Sequence, residues 1–453
     1  MRGRGGGAGH GTGGWVDRLI HVASSDSKQP IRITPLIESQ RSEQSLGATP
    51  ANESGTELPP SGPARRISLD YWLNLLLDRS LYGVSFAIVF LVIPFTLYLL
   101  YVHLHLNGAA VLFPPDSGYY TVMTLRDLGY SVPHAVHRTN SYTTFPVTNS
   151  MFSDGNNTWL LVRSRVLYPL LSAPFVAALG LKFGMMVVPT VSVVVFLFFT
   201  GRTLQRLYGP TVAIFVTFFV SLSYVLTEEI YFATTDLLAL AFLSIFFDNM
   251  PLYRRNSKRN NIMLCVALLL IAVTRQDGVY PLALLCGGWL WSAVAARSWR
   301  NDWTLPMLII APITLVADIV SQVISPVHVQ TLVSTHAGAS GVGGTITSVP
   351  GLAWSLTIAD FHFMQAQDKV LFTLFCVAVI FMVFRPRSVE TGLMIAGAAA
   401  VYLIIVPVGV PVGMRYEIVL VPVTAVIAGR VVQGLRERMT VPRQARRSST
   451  SMR

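Results

Sequence analysis

The sequence predicts an all-α polytopic membrane protein of about ten transmembrane helices, and three observations predict it. Of 453 residues, 52% are hydrophobic and only 13% are charged, against about 25% charged in a soluble domain. Apolar runs recur almost to the C-terminal end, so a length that would allow two or three soluble domains reads as one membrane domain. The basic residues sit in short clusters between those runs, as in a chain whose loops are sorted by charge across a bilayer.

That sorting also accounts for the formal net charge of +11. A nucleic-acid partner would need a continuous basic face, and none is expected. Of the 34 basic residues only Lys28, Lys182, Lys258 and Lys369 are lysines, a bias that hints at a G+C-rich bacterial genome. Cys265, Cys286 and Cys376 all fall inside apolar runs and lack metal-ligand spacing, so they read as small hydrophobes, with no disulfide framework and no zinc.

Residues 1–66 are rich in Gly, Ser, Pro and charge without apolar periodicity. Such a stretch cannot bury enough surface to offset its ordering entropy, and it has no apolar core near its start like that of a signal peptide. It is expected to be a disordered cytoplasmic tail. Residues 67–81 are amphipathic, with Tyr71 and Trp72 suited to the interface, and predict a surface helix. The membrane domain is expected over 67–435, followed by a basic cytoplasmic tail over 436–453.

A span needs about 20 predominantly apolar residues. Candidates lie near 82–104, 184–201, 210–227, 235–250, 261–274, 278–296, 303–325, 370–385, 389–410 and 417–433. Counting the run 167–181 as a further span would place Arg254, Arg255, Lys258 and Arg259 outside. Reading it as re-entrant or interfacial puts Arg65, Arg66 and Arg79, Arg202 with Arg206, the Arg254–Arg259 cluster, Arg297 with Arg300 and Arg385 with Arg387 on one side with both termini. A long first loop, about 105–183, then faces outward and carries interfacial helices. It is joined outside by a short acidic loop (TEEIYFATTD, 227–236), the turn at 275–277, a loop over about 326–369, and the turn around Arg415.

Four elements on that side carry chemistry. In FPPDSGYY (113–120) the prolines end one segment and Asp116 is placed to cap an interfacial helix running to about Leu128, with Tyr119 and Tyr120 towards lipid or protein. Capping alone would explain an aspartate there. In RSRVLYP (163–169) arginines precede the re-entrant run. Arg165 suits a phosphate because a guanidinium donates two parallel hydrogen bonds, and interfacial snorkelling is the plain alternative. Arg275, between two apolar runs, is a site candidate because an arginine at membrane depth is costly; an ion pair with Asp277 closing the turn would also explain it. Arg415, in GMRYE (413–417), pairs with Glu417 or faces a shared cavity. His328, His336 and His362 lack metal-ligand spacing, although His336 would suit a phosphate. The glycine-rich stretch 338–344 lacks the lysine of a phosphate loop and reads as a flexible lid.

Taken in order, these elements resemble the GT-C superfamily of glycosyltransferases, particularly actinobacterial enzymes that use polyprenyl-phosphate mannose or arabinose. The resemblance covers about 80–435. It rests on Asp116 soon after the first span, Arg165 to Pro169, the acids Glu228 and Glu229, Thr274 with Arg275, and Met414 to Tyr416. It implies Asp116 as general base, with Arg165, Arg275, Arg415, His336, Glu228, Glu229, Tyr119 and Tyr120 around the donor phosphate and substrates. Many relatives carry a second acid beside the first, where this chain has Ser117 and next Asp127. No cofactor is implied, and a divalent metal is left open. The implied partners are a polyprenyl-phosphate sugar, a glycolipid or glycan acceptor and membrane lipids, at the outer face of a cell membrane. Asp116 would accept the proton of an acceptor hydroxyl while cations stabilise the departing phosphate, and one-step displacement would invert the anomeric centre. A transporter or lipid-linked sugar flippase is the alternative. It would place ionisable groups mid-span or show paired halves with broken helices.

Overall fold

The computed structural model describes residues 80–450 apart from 82–83, 86–87, 90, 94, 99–114, 144, 155, 253–254, 276–277, 327–340 and 410–413. The chain divides into Met1–Arg66 and Ile67–Arg453, and every described residue belongs to the second unit. The tail expected over 1–66 and most of the surface helix expected over 67–81 lie outside the described residues. Where 67–81 becomes visible it is not helical. Ser80–Leu81 (β1) pairs antiparallel with Val84–Ser85 (β2), and the Ser85 amide donates to Gln205 Oε1 at 2.6 Å.

Most of the remaining described residues are helical, including 88–89, 91–93 and 95–98 within the expected first span. In chain order the helices are α1 (Pro115–Asp127), α2 (Val132–Asn140), α3 (Asn157–Val162), α4 (Leu167–Tyr208), α5 (Pro210–Ser221), α6 (Tyr224–Glu229), α7 (Asp236–Asn249), α8 (Lys258–Thr274), α9 (Val279–Ala296), α10 (Thr304–Ile324), α11 (Gly341–Ala366), α12 (Lys369–Phe384), α13 (Val389–Val408) and α14 (Val421–Thr450). Among the described residues, five segments are long and apolar enough to cross a membrane: α4, α9, α10, α13 and Glu417–Met439. On α10, Leu308, Leu315, Val316, Ile319 and Val323 all face outward. A soluble monomer does not carry so large a continuous apolar surface, whereas a lipid-facing helix does.

The run expected to be re-entrant is the first piece of α4. Gly180 has φ 81° and ψ 169°, backbone that only glycine adopts without strain, and the chain reverses there. Tyr168 and Met185 would stand about 25 Å apart in a straight helix, yet the Tyr168 hydroxyl donates to the Met185 carbonyl at 2.8 Å. Gly184 permits the close return, since a Cβ there would lie 2.4 Å from the Val176 backbone. The piece over 167–179 rises about 20 Å, short of the ~30 Å hydrocarbon core.

Two clusters of buried side chains follow from this path. One fills the helix bundle, from Ile88 through Phe196, Phe246 and Leu284 to Val426. The other, around Tyr119, Tyr120, Val136, Trp159 and Met185, seats α1, α2 and α3 on the reversed start of α4. Within the bundle α9 lies against α13, and a Cβ on Gly287 would stand 2.5 Å from the Gly392 carbonyl oxygen, the close approach that small residues allow between apolar helices.

The region expected as a loop over 326–369 contains the 26-residue helix α11, and the residues from Gly341 onward belong to it and not to a lid. Pro350, Gly351 and Asp360 interrupt the apolar pattern there, which is why the run fails a hydropathy reading, but helical hydrogen bonding survives them. Asp368 ties the end of this region to α6. It accepts from the Ser223 hydroxyl at 2.5 Å, the Val225 amide at 2.9 Å and the Leu371 amide at 2.8 Å, capping two helices with one carboxylate. Glu229 is thereby held at the far end of α6.

Substituting Gly184→Val is expected to lower the stability of the purified protein by about 1–3 kcal/mol, the cost of overpacking, read as an earlier thermal transition in detergent. Gly351→Ala, where nothing lies within 4 Å, is expected to leave that transition in place. Equal behaviour of the two variants would contradict the tight reversal.

Candidate functional site

Five helix ends and turns deliver polar groups to one place. Asp116 lies in the first turn of α1, and Asp236 opens α7; an anion at a helix N-terminus is favoured by the helix dipole. Glu229 closes α6. Arg275 follows the last turn of α8, where a cation is favoured. Arg415 sits in the turn between α13 and the 3-10 turn Glu417–Leu420. Before it, Met414 takes φ 69°, left-handed backbone that costs a non-glycine residue about 1–3 kcal/mol and that its buried side chain holds in place.

Arg415 is the hub. Its Nη2 and Nε donate to Asp236 Oδ2 at 2.7 and 3.1 Å, and its Nη1 donates to Asp116 Oδ2 at 3.2 Å. Its Nε also lies 3.5 Å from Glu229 Oε1. Arg275 pairs with the other oxygen of Asp236 and stacks 4.4 Å from the Tyr416 ring centroid. Glu229 accepts from the Thr234 hydroxyl at 2.9 Å. Three carboxylates therefore face two guanidiniums. Asp236, Glu229 and Arg275 are almost fully buried, whereas Asp116 keeps 29% and Arg415 17% of its side-chain surface. The cluster is open at its Asp116–Arg415 end.

Burial raises the Glu229 carboxyl above its ordinary range, against the lowering effect of Arg415, Thr234 and Arg275. Burial by itself would lower Arg415, but the charges of Glu229 and Asp116 outweigh it and push the guanidinium higher still. A third guanidinium reaches the cluster's edge through Tyr120. Arg165 Nη1 donates to the Tyr120 hydroxyl at 3.0 Å, and that hydroxyl lies 3.3 Å from Thr235 Oγ1, next to Asp236.

The structure thus brings Asp116, Glu229, Arg275 and Arg415 together and places Tyr120 and Arg165 beside them. Others among the expected residues go elsewhere. Tyr119 turns into the apolar cluster, 5.4 Å from Phe152 and 6.4 Å from Trp159. Glu228 is raised by burial, against a hydrogen bond with Tyr224, and no described contact takes it to Arg415. His336, His328 and Asp277 lie outside the described residues, so the pairing of Arg275 observed is the one with Asp236. Glu417, a neighbour of Arg415 in sequence, bonds to Asp360 instead. The residue that sequence reasoning passed over is Asp236. It lay in the acidic loop with Glu228 and Glu229, and its place at the head of α7 was the signal that could have singled it out.

Two apolar cavities flank these elements. One, of about 460 Å³, lies between α8 and α10 and reaches Ser164, between Arg163 and Arg165; Arg163 contacts the Ile324 carbonyl at its end. The other, of about 660 Å³, lies between α11, α12 and α13, and the Arg415 turn contributes Met414 and Glu417 to its wall. Among the described residues no group of three or more His, Cys, Asp or Glu could hold a metal ion; where three carboxylates converge, the Arg415 guanidinium stands between them. Compared with protein-family models, curated proteins and solved structures, the chain matches none.

Removing Arg415 leaves three carboxylates to repel one another. Arg415→Ala is therefore expected to cost about 3–5 kcal/mol, as for a broken buried ion pair. A double-mutant cycle with Asp236→Asn is expected to give a coupling of about 1–3 kcal/mol, read from denaturation in detergent. Additive effects would mean that the two side chains act independently.

Proposed function

We propose that the chain is a membrane glycosyltransferase that takes a sugar of the mannose or arabinose class from a polyprenyl-phosphate donor and passes it to a hydroxyl of a lipid- or envelope-linked acceptor. The observation that carries this reading is the partly exposed Asp116 carboxylate, held by Arg415 at the open end of an otherwise buried charge cluster. In the reaction, the acceptor oxygen attacks the anomeric carbon as the bond to the phosphate oxygen breaks. The hydroxyl proton passes to Asp116, and the electron pair leaves with the phosphate. Arg415 and Arg165, the partly exposed guanidiniums, are the groups suited to stabilise that charge. Arg275 and Asp236, buried behind them, are positioning residues. A single displacement inverts the anomeric configuration.

The architecture supports a donor held in lipid. The cavity ending at Ser164 is apolar along its length, and Ser164 stands between Arg163 and Arg165 in sequence, an order that suits an isoprenoid chain bearing a phosphate. The ten-span arrangement with both termini cytoplasmic belongs to this reading. It puts the Asp116–Arg415 cluster outside and the opposite end of α7 inside. There Asp248 pairs with Arg202 at 3.2 Å and Arg206 at 3.0 Å, about 18 Å along the helix from Asp236.

Membranes carrying Asp116→Asn are expected to lose transfer from a synthetic polyprenyl-phosphate sugar by at least about a hundredfold, the lower range for a general base, while yielding normal amounts of folded protein. Retained turnover would remove Asp116 as the base. Reporter fusions after His137 and after Lys258 are expected to read outside and inside respectively, and the reverse pattern would put the cluster on the cytoplasmic face.

A further inference from the structure

We propose that the groove between α11, α12 and α13 is the acceptor site, and that it takes a lipid with an uncharged, hydroxyl-bearing head such as a glycosyl or glycerol group. The assignment of the occupant as acceptor rests on the transferase reading above; the assignment of its chemistry does not. The groove has the volume of a ligand pocket, about 660 Å³, within the range in which small molecules are held. Its walls are apolar, with Phe361, Phe375 and Met394 among them. At its rim Val379, Ile380 and Ile395 keep 52%, 57% and 46% of their surface. On membrane helices such a rim faces hydrocarbon, so a chain can enter sideways.

The inner end is polar, and among the described residues of the groove wall the side chains of charged type are both carboxyls. Asp360 and Glu417 line it, only 7% and 8% exposed, and they hydrogen-bond to each other. Two carboxyl groups can do this only when one of them carries a proton. Beyond that pairing, no N–H or hydroxyl of the described residues donates to Glu417 Oε2, and a buried acceptor short of donors costs up to about 1–3 kcal/mol. A hydroxyl arriving along the groove would satisfy it. An anionic head would find no lysine or arginine to pair with among the described residues of the groove wall. A cationic head would meet a pair whose single negative charge is already opposed by Arg275 nearby. An uncharged donor of hydrogen bonds is the head that fits. The turn itself divides the two sites: Arg415 reaches the carboxylate cluster, while Met414 and Glu417 face the groove.

The test uses the full-length protein in phosphatidylcholine nanodiscs and three photoreactive amphiphiles with one chain in common: an alkyl glucoside, an alkyl phosphate and an alkyl trimethylammonium, each with a diazirine in the chain. After irradiation, labelled peptides are mapped by mass spectrometry. The glucoside is expected to label the peptides holding Phe361 and Cys376, with excess unlabelled glucoside suppressing the signal. The two charged amphiphiles are expected to label them about tenfold less, and Glu417→Met to reduce glucoside labelling by a similar factor. Labelling by the phosphate or the ammonium equal to that by the glucoside, in the wild-type protein, would overturn the proposal, as would full glucoside labelling of a folded Glu417→Met protein. Asp116→Asn protein is expected to keep its glucoside labelling. A failed transfer assay therefore sinks the catalytic reading without touching the groove, and a failed labelling pattern does the reverse.

Discussion

Charge compensation around Arg415 is the constraint on which the rest of the arrangement depends. A guanidinium or carboxylate withdrawn from water alone costs several kcal/mol, and this chain withdraws Asp236, Glu229 and Arg275 almost completely and Arg415 and Asp116 in part. Each is tolerable only while the others are present. The chain positions joined are far apart, with Arg415 separated from Asp116 by 299 residues and from Asp236 by 179. A network of this kind contributes little net stability relative to an apolar core of the same volume. What it does is specify which helix ends meet, since any other pairing leaves a buried charge uncompensated.

Helix ends are the natural suppliers of such groups. Asp116 and Asp236 sit where an anion is favoured and Arg275 where a cation is, so local dipoles and the long-range cluster agree. The short helices serve the same end. α6 exists between the Asp368 cap and Glu229, and the reversal at Gly180 seats α1 so that Tyr120 meets Arg165. Apolar packing sets the platform, and the polar groups occupy the openings it leaves.

Much of the site was legible because membrane solvent makes polar residues conspicuous. Asp116, Glu229, Arg275 and Arg415 stood out as ionisable groups beside apolar runs, and the helix beginning at 115 follows from the proline pair and the aspartate. The short run 167–181 was set apart from the spans in sequence by charge sorting, and the structure breaks the helix at Gly180. Asp236 and Asp360 were passed over for opposite reasons. The first looked like one more charge in an acidic loop. The second lies in a helix that Pro350 and Gly351 disguised as a loop, because backbone hydrogen bonding tolerates those residues more readily than a hydropathy pattern does.

Hydrophobic content and its spacing by themselves determined that this chain is helical and membrane-embedded, because burying backbone groups away from water leaves few alternatives to the helix and because that requirement acts locally, run by run. Only the tertiary structure decided partnership: that Arg415 answers Asp236, Asp116 and Glu229 and not its neighbour Glu417, that Arg275 stacks on Tyr416, and that Glu417 turns instead to Asp360. Ion pairing acts through space, and its partners are chosen by how helices dock, which no local pattern records.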